Sequence, residues 1–98
     1  MITKILRVVG QTEPIYIQSK KTDSGQLAKC NIRLRALGGD YEDEFFCTML
    51  GNKALCRYAE GSLVVATLRF STHESSSGNW YQDITIQDIH SLELGIKY

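Results

Sequence analysis

Lys29, Asn31, Arg33 and Arg35 occupy every second position of the segment from Leu27 to Leu37, and Ala28, Cys30, Ile32, Leu34 and Ala36 fill the positions between them. Successive side chains of an extended chain point to opposite faces, so this segment presents three cations on one side and an apolar row on the other. Such a face attracts a polyanion. Two pairs of adjacent rings, Phe45 with Phe46 and Trp80 with Tyr81, stand further along. Neighbours on a strand diverge, so within each pair one ring is expected in a core and the other outside. If Phe46 points inward with Thr48 and Leu50, Phe45 points outward with Cys47 and Met49; a bulge that buried both rings is the alternative. For Trp80 and Tyr81 the phase stays open: Trp80 is favoured as the outward ring, yet it shares its parity with Ile84 and Ile86.

Catalytic chemistry finds little support. The chain has no P-loop, GxGxxG, HExxH or Gly-x-Ser-x-Gly. Asp83 and Asp88 are five apart on a strand and are expected on opposite sides. Asp40, Glu42, Asp43 and Glu44 surround a hairpin, where carboxylates usually serve solvation. Glu42, Asp43 and Glu44 are also placed to pair with the cations across it. Cys30, Cys47 and Cys56 form no CxxC and are odd in number; with His73 and His90 isolated, they make neither a metal set nor a disulfide framework. They read as reduced packing thiols of a cytoplasmic protein. Neither metal nor cofactor is expected, and no enzymatic activity.

Ninety-eight residues, 43% of them hydrophobic and 22% charged, suffice for one domain with a modest core and argue against wholesale disorder. No apolar run is long enough to span a membrane, and the charges within the first nine residues do not suit a signal peptide. The net charge is zero, which argues against a uniformly basic surface. Its distribution is polarised. Residues 1–37 hold seven basic and two acidic side chains, and residues 38–98 hold four basic and nine acidic ones. One positive face is compatible with overall neutrality.

The elements that must position these residues are nearly all strands. The first runs from Ile2 to Val9 and resumes at Ile15–Ile17 after an interruption over Gly10–Pro14. Lys20–Gly25 has turn composition and joins it to the second strand, Leu27–Leu37. Gly38-Gly39-Asp40 is a hairpin turn, and residues 42–50 return as the third strand. Asn52 is a candidate helix N-cap and Gly61 a candidate stop; Leu55, Tyr58 and Ala59 between them share a face that can plug the end of a barrel. The fourth strand is Ser62–Thr72. A Ser/Gly-rich loop, His73–Asn79, leads into the fifth, Trp80–Leu92, and Gly95–Tyr98 reads as a short tail.

Strand order, helix placement and local motifs together support a named resemblance. The chain resembles small members of the single-stranded DNA-binding protein (SSB) family and their primosomal PriB-type relatives. The similarity lies in Val8-Val9-Gly10, Ser24-Gly25, Glu44-Phe45, Leu50-Gly51-Asn52-Lys53, Glu60-Gly61-Ser62-Leu63-Val64 and Gly78-Asn79-Trp80-Tyr81. The chain is equally similar to single-domain OB proteins with a Gly-x-Trp-Tyr-x-Asp element, here Gly78 to Asp83. It departs from the SSB pattern in ending Leu94-Gly-Ile-Lys-Tyr98 without an acidic, Phe-terminated tip, and from PriB proteins in lacking a Lys/Arg surplus.

The resemblance implies an all-β, five-stranded OB-fold Greek-key barrel with one short helix between the third and fourth strands. It implies single-stranded DNA as ligand, with RNA the other nucleic-acid candidate, bound with low sequence preference by stacked rings and phosphate-tracking cations. Phe45 falls where the family carries a stacking Trp. Lys29, Arg33 and Arg35 line the same face, Trp80 overhangs it, and Lys20, Lys21, Phe70 and His73 are secondary candidates. A homodimer or homotetramer formed through the first strand is implied too. That strand is apolar on both faces, with Ile2, Leu6 and Val8 on one and Ile5 and Val9 on the other. The principal alternative is a protein-interaction module with no nucleic-acid binding, which the acidic residues before the third strand favour. A small enzyme or an RNA-specific binder is the remaining class.

Overall fold

Six strands and one helical turn make up residues 1–20 and 24–92, the residues that the computed structural model describes. Lys21 and the Gly95–Tyr98 tail lie outside them. The elements are β1 (Ile2–Gln11), β2 (Ile15–Gln18), β3 (Gln26–Ala36), β4 (Glu44–Leu50), α1 (Asn52–Leu55), β5 (Leu63–Glu74) and β6 (Trp80–Ser91). Antiparallel ladders join β1 to β3 and to β5, β3 to β4, and β5 to β6; a parallel contact between Thr48 of β4 and Thr85 of β6 closes the ring. β2 follows β1 along the same edge of β3, pairing Ile15 with Lys29 and Ile17 with Leu27. Taken as one interrupted strand, β1 and β2 make the barrel five-stranded, with its helical turn after the third strand. This is the OB-fold.

The interruption has a local cause. Pro14 has no N–H to give a ladder, and Thr12 bridges the gap with its backbone N–H on the Asn31 carbonyl (2.9 Å) and its hydroxyl accepting from the Asn31 N–H (2.9 Å).

Inside the barrel β1, β3 and β5 obey the alternation, while a register shift in β6 brings Ile86 and Ile89, three apart, to the same side. Leu6 and Val8 from β1, Ala28 to Leu34 at every second position from β3, Val64, Ala66 and Leu68 from β5, and Ile86 and Ile89 from β6 form one buried cluster. The expected phase of β3 is the observed one. That of β4 is reversed: Cys47 and Met49 are fully buried and Phe45 packs against the core, whereas Phe46 is 60% exposed. The reason lies in the partner strand. Antiparallel partners share a face, and Phe46, Thr48 and Leu50 pair with Arg33, Asn31 and Lys29. Burying Phe46 would bury the cations with it, at a cost that the burial of one ring cannot offset. Cys30 and Cys47 are buried in the core and Cys56 is exposed; burial pushes the Cys47 thiol up to about 12.

The helix is shorter than the sequence suggests. It spans one turn, starts from Gly51 at a positive φ (71°) without a side-chain cap, and buries Ala54 where Leu55 was expected. Gln11 ends it. Its amide nitrogen donates to the Cys56 carbonyl (2.7 Å) and its amide oxygen accepts from the Tyr58 N–H (2.9 Å), capturing the backbone that a longer helix would need. Among the described residues no helix is long and apolar enough to cross a membrane.

Candidate nucleic-acid interface

The outer side of the β3–β4 hairpin is a ladder of four cross-strand pairs. Lys29 stands opposite Leu50, Asn31 opposite Thr48, Arg33 opposite Phe46, and Arg35 opposite Glu44. Phe46 is open to solvent with Arg33 as its cross-strand partner. Glu44 holds both arginines, its two oxygens taking Arg33 Nη2 at 2.8 Å and Arg35 Nη2 at 3.1 Å. Those two hydrogen bonds, Arg33's first, keep the Glu44 carboxyl below its ordinary value, so it remains an anion. Asp40 adds a looser contact to Arg35 at 3.9 Å. The positive face anticipated from β3 is present, and its Arg33–Arg35 end is largely neutralised from within.

A second surface adjoins the first. Beyond Leu68 and Thr85 the described ladders of β5 and β6 join only these two strands to each other, from Arg69 opposite Thr85 to Glu74 opposite Trp80, so the hairpin extends from the barrel as a two-stranded arm. The molecule is accordingly elongated, 51 × 33 × 22 Å. On the arm His73 Nδ1 contacts Asp83 Oδ2 at 2.8 Å, and the His73 ring stacks on Tyr81 with centroids 5.4 Å apart. Trp80 and Tyr81 are both exposed, at 68% and 48%. An open groove of about 310 Å³ joins the two surfaces, lined by Lys29, Thr48, Leu50, Ser71, Asp83 and Thr85, with Ile17 at its edge.

The predicted residues fall into two sets. Lys29, Arg33 and Arg35 share the outer face as expected, and Trp80 is exposed at the base of the arm loop. Phe45 and Phe70 do not share that face. They meet edge to face, centroids 6.4 Å apart, on the core side of β4 and β5, leaving Phe70 only partly exposed at the rim. Lys20 is exposed in the turn after β2. His73 is engaged by Asp83 and Tyr81 instead of standing alone. Asp83 and Asp88 each hold a histidine, Asp88 through His90 at 3.0 Å, and a shift of register opposite Thr67 and Leu68 cancels the simple parity expected of them. Phe46, Thr48 and Leu50 were missed as residues of the outer face, whereas Asn31 lies there as expected. Thr48 is the signal that could have found them, since it is the one polar side chain in either parity of the Phe45–Leu50 segment. No group of three or more His, Cys, Asp or Glu suited to a metal ion occurs among the described residues.

Neither a scan against protein-family models nor a search of curated proteins finds a match for this chain. Among solved structures, the second OB-fold domain of replication protein A from Methanococcus maripaludis is similar, with a TM-score of 0.66 and 15% identity over 97% of this chain and 86% of that one. At that identity the likeness carries the fold. It defines the chain as an OB-fold protein and does not single out the SSB or PriB branch.

Proposed function

We propose that this chain is a non-catalytic, single-stranded DNA-binding protein of low sequence specificity, serving replication or recombination of a host or mobile element. The observation that carries the reading is Phe46, exposed on the outer face of a closed OB barrel with Arg33 directly across the hairpin. A base stacks on the ring, phosphates follow Lys29 and the arginines, and the strand continues along the groove toward Tyr81 and Trp80 on the arm. Every base has a flat face, so stacking of this kind is tolerant of sequence. Fluorescence anisotropy with labelled oligo-dT at low salt tests it: saturable binding that weakens linearly in log K against log salt is the expected result. No binding up to tens of micromolar would remove the reading.

The second reading, a protein-interaction module, is favoured by Glu44 on both arginines and by Asp83 in the groove. It predicts a shallow salt dependence and no oligo-dT binding. In either case the chain acts as a homodimer or homotetramer. Ile5 on β1 points outward and is 48% exposed, and β1 meets β3 only from Leu6 onward, so the described ladders occupy a single edge of Ile2–Ile5. A monomer mass by light scattering at micromolar concentration would refute this assembly.

A further inference from the structure

We propose that Arg33 and Arg35 form a phosphate subsite that Glu44 occupies in the free protein, so that a nucleic-acid phosphate binds there by displacing this carboxylate. The inference rests on the reading of the outer face as a nucleic-acid interface. Each Glu44 oxygen serves a different guanidinium, at 2.8 and 3.1 Å. Two non-bridging oxygens of a phosphodiester make the same pattern with a pair of arginines. The subsite is in the right place for that role. Glu44 and Phe46 are consecutive outward residues of β4, about 7 Å apart along the strand, so a base stacked on Phe46 carries its own phosphate to the arginine pair.

The arginines are differently exposed. The Arg33 side chain is 52% exposed, whereas the Arg35 side chain is 24% exposed and its Nε is buried with no hydrogen-bond partner among the described residues. Arg35 is thus the buried wall of the subsite and Arg33 its open one. Glu44 contributes little that the fold requires, because ion pairs at the surface add little to stability. Its consequence is electrostatic: it removes one cation's worth of attraction from the ring's immediate surroundings and returns it only when a stronger anion arrives. A face arranged in this way discriminates against weak or isolated anions in favour of a strand that stacks and neutralises together.

Glu44→Gln is the test, since it keeps the shape and discards the charge. Anisotropy with labelled oligo-dT should show binding tightened roughly five- to tenfold at about 50 mM salt, with the slope of log K against log salt nearly unchanged, because the same phosphate is neutralised without a carboxylate to displace. Glu60→Gln removes an equal charge from the exposed turn before β5, outside the β3–β4 face, and should change affinity by less than about twofold. In an Arg33→Ala background most of the gain from Glu44→Gln should vanish. Thermal melts establish that each variant folds, and Glu44→Ala repeats the comparison if the glutamine variant does not. Wild-type binding with no tightening in Glu44→Gln overturns the subsite and leaves the nucleic-acid reading intact, and so does weakened binding, which would make Glu44 a positioning residue for the arginines. Equal tightening in Glu60→Gln overturns it as a general charge effect. Binding by Glu44→Gln alone overturns both inferences, since the native carboxylate would then exclude the strand instead of yielding to it, and binding by neither overturns them as well.

Discussion

The barrel body and the β5–β6 arm are built from the same alternating strands, yet alternation means different things in them. In β3 the residues Ala28, Cys30, Ile32 and Leu34 are buried while their neighbours are not, because a core lies on one side only. Along the arm the residues of β5 from Arg69 to Glu74 and those of β6 from Trp80 to Asp83 are exposed at both parities. The rule that one of two adjacent rings must be inside therefore holds for Phe45 and Phe46 and fails for Trp80 and Tyr81. A period of two specifies opposite faces; whether either face is an interior depends on what the rest of the chain places against it.

The adjacent phenylalanines offer the sharpest test of this contrast. Phe45→Ala should destabilise the protein by roughly 3 kcal/mol in denaturant unfolding, as for loss of a ring packed against a core. Phe46→Ala should leave stability within about 0.5 kcal/mol and reduce oligo-dT affinity by roughly 1–3 kcal/mol. The opposite assignment of the two effects would reverse the phase of β4 and return Phe45 to the surface.

On the arm no such asymmetry is expected. Trp80→Ala should leave the unfolding midpoint almost unmoved, since its ring is largely in water, and weaken oligo-dT binding by about 1 kcal/mol, at the low end for a stacking ring. A large fall in stability in this variant would show that the arm has an interior side after all.

The smallest effect concerns Glu44. Its carboxyl titrates below the ordinary value of 4.5 in the folded protein, through hydrogen bonds from Arg33 and then Arg35. A lowered folded value means that the stabilisation is present above the unfolded value and is lost as pH falls through the folded one. The melting temperature of the wild type should thus decline below about pH 4.5 slightly more than that of Glu44→Gln, by about a degree or two, because the pair is exposed. Identical acid profiles would remove the Glu44 clamp from the description of the face.

Much of this architecture was legible beforehand, for identifiable reasons. β3 alternates polar and apolar residues, so its phase could be read directly, and with it the shared face of Lys29, Arg33 and Arg35. The break at Pro14, the Gly-rich hairpin and the position of the helical turn were visible as punctuation. Of Glu42, Asp43 and Glu44, the carboxylates expected to pair with these cations, Glu44 does so, and Asp40, which was not among them, adds a looser contact to Arg35. The phase of β4 was not legible. Phe45, Cys47 and Met49 are apolar, and so are Phe46 and Leu50, so periodicity within that segment carries almost no information about which set is inside. The length of α1 was hidden as well, because Gln11, forty-five residues before Cys56, is what stops it.

The sequence by itself determined the strands, their order of turns and one charged face, since these depend on local composition and on the two-residue repeat of an extended chain. Tertiary structure alone decided which phenylalanine faces water, that both arm rings are exposed, and that Glu44 pairs with two of the three cations. The first and last follow from the cross-strand register of β3 and β4, and the second from the absence of a described ladder or core against the arm. A register is a property of two strands together, and neither strand encodes it alone.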